Sequence, residues 1–530
     1  MQKVSVSFDD IHALSFKDKF YQNHSYKLKD FISFEPDMEG LKKAIEGRRN
    51  AETINRELLV SVLKDQYKNV KSSPLQQKNI DSLLDNNTFT ITTAHQPSIL
   101  GGPAYYFYKI YSTINLCQQL TTLFPDQRFV PVFINGSEDH DFEEVKSVSL
   151  YGKTVEWNTS LKGPVGRFTL GGIDKVIEEA SNILGTSAKA SQLKGVFLSA
   201  LKNAKNYNEF VFRWLNEILQ DFGVIILNMD EPNLKKAFVP TLKKEIFERK
   251  SIDLVCETQD KLATFGFRPQ AFAREINVFY MQNGQRERIY FENDQYHINN
   301  TDIVFTSTEL LSLLENTPEN FSPNVVLRPL YQETILPNIA YIGGGGEIAY
   351  WLERKTQFEY FNVYFPTLIR RNSITLLNKS IQKNLEKLDI ELSFLLKEEH
   401  EMVNSYIERA SDTDFHLHTE IEHIQTIFES IAKKAEMIDP TLGPFTLGEG
   451  HKMLKSVEGI ESRLKKSIKQ KEETSINQLK NLRNKIFPDN GLQERKESII
   501  PYLVSEDATF QQKLVELCNP LEKEFLFIYL

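Results

Sequence analysis

The feature that most constrains the fold is a change of hydrophobic pattern near Ser373. Before this residue, short β-branched runs alternate with amphipathic stretches, and after it apolar residues recur every seven positions on highly charged segments. Alternating strands and helices are typical of a parallel α/β sheet, whereas a seven-residue apolar repeat is typical of a coiled coil. The sequence therefore predicts an α/β core followed by a long, charged helical hairpin.

The repeat predicts three helices, at residues 374–406, 421–438 and 453–487. Pro440, Gly443 and Pro444 lie between the second and third helices and indicate that the chain turns back there. The apolar seams are too narrow to bury much surface within one chain. We therefore predict an antiparallel coiled coil that serves as a dimerisation arm.

The domain organisation follows from these patterns, since 530 residues are enough for two or three domains. We predict four segments: an N-terminal helical segment at 1–85, the α/β core at 86–373 with inserted connecting segments at about 150–320, the coiled coil at 374–490, and a C-terminal segment at 491–530 that returns to the core. Core strands are predicted at 88–95, 129–134, 223–230 and within 324–344, and Asn283-Gly284 predicts a tight hairpin in the insertion.

Composition excludes several classes of protein. The chain has 72 acidic and 63 basic residues, and its formal charge of −9 argues against a general nucleic-acid binder. Its three cysteines form no CxxC pair, so neither a disulfide scaffold nor a cysteine-rich zinc site is predicted. No apolar run approaches 18 residues and the N-terminus lacks a signal-peptide pattern, which predicts a soluble cytoplasmic protein that does not bind a membrane.

The first candidate site is the turn after the strand at 88–95. His95 and Gln96 precede Gly101 and Gly102, and a long amphipathic helix follows. Glycines at such a turn let the backbone approach a phosphate at a helix N-terminus, and a histidine there can stabilise phosphate charge. The alternative is a tight turn whose glycines are needed for steric reasons only.

A second candidate site follows the strand at 129–134. Glu138, Asp139, His140 and Asp141 are consecutive, and ligands of open α/β sheets bind outside the carboxyl ends of the strands. Such a cluster can orient or deprotonate an amine, bind a metal ion, or simply cap a helix. Three carboxylates around one histidine exceed what a cap needs, so we favour a functional role. We predict His95, Asp139 and His140 as the catalytic residues.

A third candidate region is residues 324–355, where a run of glycines precedes a predicted helix. Glycines permit close approach of a ligand to the backbone, although the run matches no P-loop. Arg370, near the start of the predicted coiled coil, could reach a phosphate-bearing ligand or lie in an exposed basic hinge. The predicted binding residues of these two regions are Arg328, Gln332, Glu333, Gly343, Gly344, Gly345, Glu347 and Arg370.

The segments at 95–110, 131–145 and 321–351 make the sequence resemble the bacillithiol biosynthesis cysteine-adding enzymes, the cysteine ligases. The resemblance implies an α/β fold, with a Rossmann-like parallel-sheet core and connecting-peptide insertions related to class I aminoacyl-tRNA synthetases, plus an α-helical antiparallel coiled-coil domain and a homodimer. It also implies that cysteine is joined to glucosaminyl malate in the last step of bacillithiol synthesis. His95 is the single histidine where the synthetase superfamily has His-x-Gly-His, and Arg370 to Ser373 replace its Lys-Met-Ser-Lys-Ser loop.

Within this resemblance, ATP would activate the cysteine carboxylate, and Arg328 or Arg370 would bind the malate carboxylates. The residues do not distinguish an ATP-consuming ligase from one that uses no ATP, and they predict no particular metal. Two other functions remain open at this stage. One is an adenylating enzyme or nucleotidylyltransferase that acts on another small substrate, and the other is a non-catalytic partner protein that binds through its coiled coil.

Overall fold

The computed structural model describes residues 1–51, 54–410 and 416–530. Residues 52–53 of the predicted N-terminal segment and 411–415 of the predicted coiled coil lie outside this part of the chain. The protein divides into two compact units, one formed by Met1–Leu376 with Gly491–Leu530 and the other by Leu377–Asn490. Within the described ranges, no helix combines the length and the apolar character that a membrane span requires.

The strands, in chain order, are β1 (Gln2–Ser7), β2 (Thr88–His95), β3 (Arg128–Asn135), β4 (Ser147–Leu150), β5 (Lys153–Glu156), β6 (Ile225–Asn228), β7 (Val278–Gln282), β8 (Gln285–Glu292), β9 (Gln295–Ile298), β10 (Val304–Phe305), β11 (Phe321–Pro323), β12 (Asn338–Gly343), β13 (Thr367–Arg370), β14 (Ile374–Leu377) and β15 (Glu524–Tyr529).

The helices of the first unit are α1 (Phe16–His24), α2 (Met38–Asn50), α3 (Arg56–Tyr67), α4 (Pro74–Ser82), α5 (Tyr105–Leu123), α6 (Phe142–Val145), α7 (Ile173–Leu184), α8 (Ala188–Asn203), α9 (Tyr207–Leu219), α10 (Pro232–Glu248), α11 (Ser251–Ala263), α12 (Ser307–Asn316), α13 (Arg328–Ile335), α14 (Gly345–Leu352) and α15 (Lys355–Phe361). The second unit contains α16 (Lys379–Lys387), α17 (Leu392–Leu395), α18 (Glu399–Ala410), α19 (His418–Glu436), α20 (Leu442–Lys471) and α21 (Glu473–Ile486). The tail of the first unit adds α22 (Gln493–Lys496), α23 (Ile500–Ser505) and α24 (Phe510–Leu517).

The centre of the first unit is a five-stranded parallel sheet in the order β13-β12-β2-β3-β6. Numbered by their order in the chain, these strands run 3-2-1-4-5 from β6 to β13, which is the order of a dinucleotide-binding Rossmann sheet. Every residue of β2 before His95 is buried, as expected of a central strand with helices on both faces. The predicted α/β fold class is confirmed.

Two insertions interrupt the sheet. The first lies between β3 and β6 and carries the hairpin β4-β5 and helices α7 to α9. The second lies between β6 and β12 and carries an antiparallel sheet in the order β10-β9-β8-β7-β11. Its β7-β8 turn is formed by Asn283 and Gly284, both with positive φ, which confirms the predicted hairpin.

Two elements of the first unit differ from the prediction. The chain begins with a strand, β1, which pairs antiparallel with the C-terminal strand β15, whereas only helices are predicted before residue 86. Ile374 does not begin a coiled-coil helix, because it lies in the buried strand β14 beside β15. The apolar run Ile374–Leu377 fits both patterns over one heptad, and pairing with β15 decides in favour of the strand.

Apart from Leu377 at the end of β14, the described part of the second unit contains only helices and the turns between them. The predicted single helix over 374–406 is wrong, since Asp389 has a positive φ and separates α16 from α17. By contrast, α19 and α20 form the predicted antiparallel pair, with the reversal between Glu436 and Leu442. Gly450 allows the two helices to approach closely, because a Cβ atom there would lie 2.8 Å from the ring of Phe428.

Candidate active site

A cavity of about 370 Å³ lies at the carboxyl ends of the parallel strands. Its wall includes His95 at the end of β2, Glu138 and Asp139 after β3, and Glu347 in the first turn of α14. These residues surround the point between β2 and β12 where the strand order reverses, which is where ligands bind in open α/β sheets. Arg286, on strand β8 of the second insertion, contributes to the wall from outside the parallel sheet.

The predicted site residues divide into two groups. Those that line the cavity are His95, Gln96, Glu138, Asp139, Arg328, Gly344 and Glu347. Those that do not line it are Gly101, Gly102, His140, Asp141, Gln332, Glu333, Gly343, Gly345 and Arg370. The cavity therefore brings together members of all three predicted motifs.

His95 supports the cavity wall in a defined tautomer. Its Nδ1 lies 2.9 Å from the carbonyl oxygen of Gln96, and a carbonyl can only accept, so we place the proton on Nδ1. Nε2 then accepts a hydrogen bond from the hydroxyl group of Tyr105 at 3.0 Å. Burial, together with nearby Lys109, lowers the pKa of His95 to about 4, so the ring is neutral near pH 7. A neutral His95 positions Tyr105 and carries no charge toward a phosphate.

The turn at Gly101 and Gly102 is packed against the protein. The two N–H groups donate to the carbonyl oxygens of Ser98 and Ile99, respectively. A Cβ atom on Gly101 would lie 2.7 Å from the ring of Phe107, and both glycines have positive φ. These contacts favour the steric role over a phosphate cradle.

The acidic end of the cavity is built on a buried lysine. Lys235 of α10 forms ion pairs with Glu138 and with Asp230, the latter at 3.2 Å. Arg167 adds a bidentate pair to Asp230, with both bonds at 2.7 Å. Burial raises the pKa of Glu138 against the opposing effect of Lys235, so this carboxylate sits in a poorly solvated place. The four side chains form a fixed, nearly balanced charge network.

Among the predicted carboxylates that line the cavity, Asp139 is the most accessible, with 47% of its side chain exposed. Gln96 donates to its Oδ2 at 2.9 Å, and Arg286 lies 3.5 Å from its Oδ1. Arg286 also donates to Nδ1 of His140 at 2.8 Å, which places the proton of that ring on Nε2. The backbone N–H of His140 donates to Oδ1 of Asp139 at 2.7 Å. Asp139 is therefore oriented by its neighbours and still reaches the cavity, while His140 supports Asp139 and Arg286 from outside the cavity wall.

Arg328 lies at the start of helix α13. The prediction that places it near the end of a strand is wrong. The segment 328–335 is helical, and the strand begins only at Asn338. Arg328 donates to Gln332 at 3.1 Å, and Gln332 donates to the buried Glu333 at 2.7 Å. Burial raises the pKa of Glu333 to about 7. Gln332 and Glu333 therefore lie behind Arg328 and orient it.

At the end of the edge strand β13, the arginine that reaches the cavity is Arg371 and not Arg370. Arg370 is buried against Asp18, with its Nη2 at 2.8 Å from the carboxylate. Neighbouring residues of an extended chain point to opposite sides, which sends Arg371 toward the cavity. Arg371 pairs with Glu494 of α22 at 2.8 Å.

Glu347 closes the cavity at the first turn of α14. Its carboxylate accepts from Lys109 at 2.8 Å and from the N–H of Gly344 at 2.9 Å. Burial alone would raise the pKa of Glu347, but Lys109 and these hydrogen bonds lower it to about 2. Glu347 is thus a permanently ionised anchor for the glycine turn.

Several residues that line the cavity were not among the predicted site residues, namely Tyr105, Glu144, Asp230, Arg286, Tyr350, Arg371 and Arg495. Asp230 had a usable pattern, because it is the last residue of a predicted core strand, at the same edge of the sheet as Asp139. Arg286 and Arg495 had none, since an insertion and the C-terminal tail bring them to the site. Within the described part of the chain, no group of three or more His, Cys, Asp or Glu side chains is arranged to bind a metal ion.

Comparison with known proteins also divides the chain into a Rossmann-like core and a coiled coil, with a different C-terminal boundary. Residues 1–372 match the model for the N-terminal Rossmann-like domain of bacillithiol biosynthesis BshC, and residues 374–530 match the model for its C-terminal coiled-coil domain. In the structure, 491–530 belongs to the same compact unit as the Rossmann-like sheet.

Relatives resemble the chain over nearly its whole length. Proteins from Flavobacterium johnsoniae and Flavobacterium psychrophilum are each 37% identical, over 96% of this chain and 96% of their own. One from Christiangramia forsetii is 36% identical over 95% of both chains. Each is named as a candidate cysteine ligase, BshC. A solved Campylobacter jejuni chain, named as a candidate arginyl-tRNA synthetase, aligns at 9% identity over 83% of this chain and 97% of its own with a TM-score of 0.24, which carries no argument.

Two family models that together span the chain, and relatives matched from end to end, leave one conclusion: the chain belongs to the bacillithiol biosynthesis BshC family.

Proposed function

We propose that the chain is a cysteine ligase that forms an amide bond between the carboxyl group of cysteine and the amine of glucosaminyl malate, the last step of bacillithiol synthesis. The observation that carries the proposal is the accessible carboxylate of Asp139 in a cavity at the switch point of the sheet. An amine substrate needs such a carboxylate to bind its ammonium form and to accept its proton. Membership of the BshC family supports this substrate pair.

The proposed reaction places one proton on Asp139. The ammonium group first releases one proton to water, and the neutral amine then gives this proton to Asp139 as its nitrogen lone pair attacks the carboxyl carbon of cysteine. A C–N bond forms and a C–O bond breaks, and the oxygen departs with the group that activates the carboxylate. Gln96 keeps Asp139 oriented throughout, since its amide donates to the carboxylate at 2.9 Å.

ATP is the activating cosubstrate that we propose, because it would convert the carboxylate oxygen of cysteine into part of a good leaving group. The N–H groups of Gly101 and Gly102 are occupied by carbonyl groups, so this turn offers no donors to a phosphate. We propose no metal ligand set.

A reconstituted reaction tests the proposal. The purified protein is incubated with cysteine, glucosaminyl malate and ATP, and bacillithiol is measured by mass spectrometry alongside pyrophosphate. We expect bacillithiol, with one pyrophosphate released per amide bond. The proposal is wrong if no product forms when nucleotide and metal are varied and if deletion of the gene leaves the thiol pool unchanged. Pyrophosphate released with a different acid would instead indicate an adenylating enzyme, and a stoichiometric protein partner without turnover would indicate a binding protein.

We further propose that the protein forms a homodimer through α19 and α20. Apolar side chains along this pair are exposed within the chain, including Ile431 at 46%, Phe445 at 64% and Ile460 at 51%. A row of this kind on charged helices is typical of a coiled-coil interface, and covering it would remove apolar surface from water.

The dimer proposal predicts that charges in the row separate the subunits. The double substitution Phe445→Glu and Ile460→Glu is expected to raise the dimer dissociation constant by at least about 100-fold, because each site loses about 1.5–3 kcal/mol of apolar burial. Light scattering over a concentration series measures this. Ser456→Glu on the same helix is the control and should remain dimeric. A wild-type protein that is monomeric at all concentrations, or a double variant that stays dimeric, contradicts the prediction.

A further inference from the structure

Three arginines from distant parts of the sequence meet in the cavity. Arg328 begins helix α13, Arg371 follows strand β13, and Arg495 lies in helix α22 of the C-terminal tail. The guanidinium groups of Arg371 and Arg495 lie over the ring of Tyr105, at 5.2 and 5.9 Å from its centre. Like charges gathered in a partly desolvated cavity repel each other, so an anion that binds among them would be stabilised.

Two of these guanidinium groups form no ion pair with a described carboxylate, although Glu347 acts electrostatically on Arg328 and Asp18 interacts in the same way with Arg495. Arg371 is balanced by Glu494, and Lys109, which also faces this region, is balanced by Glu347. Arg328 donates to the neutral groups of Gln332 at 3.1 Å and Tyr350 at 3.2 Å. Across residues 1–51, 54–410 and 416–530, no carboxylate lies within ion-pair distance of Arg328 or Arg495.

Two acidic side chains of the cavity wall must be weighed against this excess. Glu144 lies near Tyr105, but its pKa is raised by burial and by the neighbouring carboxylates, which weakens it as a counterion. Asp139 already lies 3.5 Å from Arg286. Neither carboxylate forms an ion pair with Arg328 or Arg495 in the structure described.

Arg371 also carries a donor without a partner. Its side chain is 2% exposed, and among the described residues no acceptor lies within hydrogen-bond distance of its Nε. A buried N–H group without an acceptor costs about 1–3 kcal/mol, which a ligand oxygen would recover. The open donor and the two unpaired charges both indicate an anionic ligand.

We infer that Arg328, Arg371 and Arg495 form a subsite for a group with two negative charges, and that its occupant is the malate portion of the acceptor. The identity of the occupant rests on the proposed function. Guanidinium forks match carboxylates in a bidentate manner and match phosphates equally well. Phosphate sites usually add main-chain donors from a glycine turn. In the glycine turn that lines this cavity, the N–H group of Gly344 already donates to Glu347 at 2.9 Å, which favours the dicarboxylate.

Equilibrium binding to the full-length protein tests the subsite without any turnover. L-malate and inorganic phosphate are titrated separately into the wild-type protein and into Arg495→Gln and Arg328→Gln. We expect malate to bind, and each substitution to weaken its binding by about 10-fold to 100-fold, the usual effect of losing a charged hydrogen-bonded pair. Arg495→Lys should recover part of the affinity, because it keeps the charge and loses the fork.

The controls separate the subsite from folding and from catalysis. Arg268→Gln, on an exposed residue outside the cavity, should bind malate like the wild type. Arg495 is exposed and makes no ion pair, so its variants should keep the wild-type unfolding midpoint even if Arg328→Gln does not fold. The inference is overturned if the wild type does not bind malate, or if both variants bind malate with the wild-type affinity. Loss of phosphate binding with malate binding unchanged overturns it in favour of a phosphate site.

The outcome is independent of the ligase assay. A protein that binds malate through these arginines and makes no bacillithiol would contradict the proposed function and retain the subsite. A protein that makes bacillithiol and binds malate equally well without Arg495 or Arg328 would retain the function and lose the subsite.

Discussion

The substitution Asp139→Asn is expected to lower kcat of the ligase reaction by about 100-fold to 10,000-fold, the usual contribution of a positioned general base. Asparagine has nearly the same shape and can still accept the hydrogen bond that Gln96 donates at 2.9 Å. It cannot take a proton from the attacking amine. The loss should therefore appear in the chemical step, with the cavity geometry retained.

Steady-state kinetics with cysteine, glucosaminyl malate and ATP measure this effect, and circular dichroism checks the fold. The matched control is Glu143→Gln, four residues along, whose side chain is 79% exposed and pairs with Lys146 outside the cavity. This variant should keep the wild-type kcat. If Asp139→Asn retained more than about one tenth of the activity, a general-base role for Asp139 would be excluded.

The sequence is sufficient to predict the parallel core and one half of the site because both depend on local pattern. Strand β3 is a continuous apolar run, and the polar residues after it must lie at the carboxyl edge of the sheet. Glu138 and Asp139 are found there as predicted. Their partners Lys235 and Arg286 come from a later helix and from an inserted strand, and no local pattern links them to β3.

The third candidate region, residues 324–355, shows where a prediction from the local sequence pattern fails. The apolar residues of 324–344 fit a strand, yet 328–335 forms a helix, because Pro329 at its first turn and the buried partners of Glu333 favour that structure. Arg370 and Arg371 are adjacent, and only the alternation of an extended chain decides which one reaches the cavity. The prediction named Arg370, and the structure places Arg371 on the cavity wall.

The heptad pattern was informative for α19 and α20 and misleading before them. An apolar residue every seven positions also describes a buried strand followed by short helices, as at Ile374 in β14 and Ile381 in α16. What distinguishes the two is tertiary pairing with β15, some 150 residues away in the sequence. The same pairing holds the tail beside the core, where α22 supplies Glu494 and Arg495.

Glu494 is the second residue whose replacement should have a large effect, here on stability. Its carboxylate is 1% exposed and accepts from Arg371 at 2.8 Å, from the hydroxyl of Ser373 at 3.1 Å and from the N–H of Ile374 at 2.9 Å. Glu494→Ala leaves the 2% exposed guanidinium of Arg371 without its counterion. Removing one partner of a buried pair costs about 3–5 kcal/mol, so the free energy of unfolding should fall by that amount.

Urea unfolding followed by tryptophan fluorescence measures this loss. The signal reports on the first compact unit, which contains Glu494, because Trp157, Trp214 and Trp351 all lie in that unit. Glu522→Ala in the same tail breaks only the partly exposed pair with Lys3 and should cost less than about 1 kcal/mol. The double variant Glu494→Ala with Arg371→Met should recover part of the loss, because it removes the stranded charge. If Glu494→Ala lowered the free energy of unfolding no more than Glu522→Ala does, the carboxylate of Glu494 would not be balancing the charge of Arg371. Arg371 would then have to be added to the unpaired positive charges of the cavity.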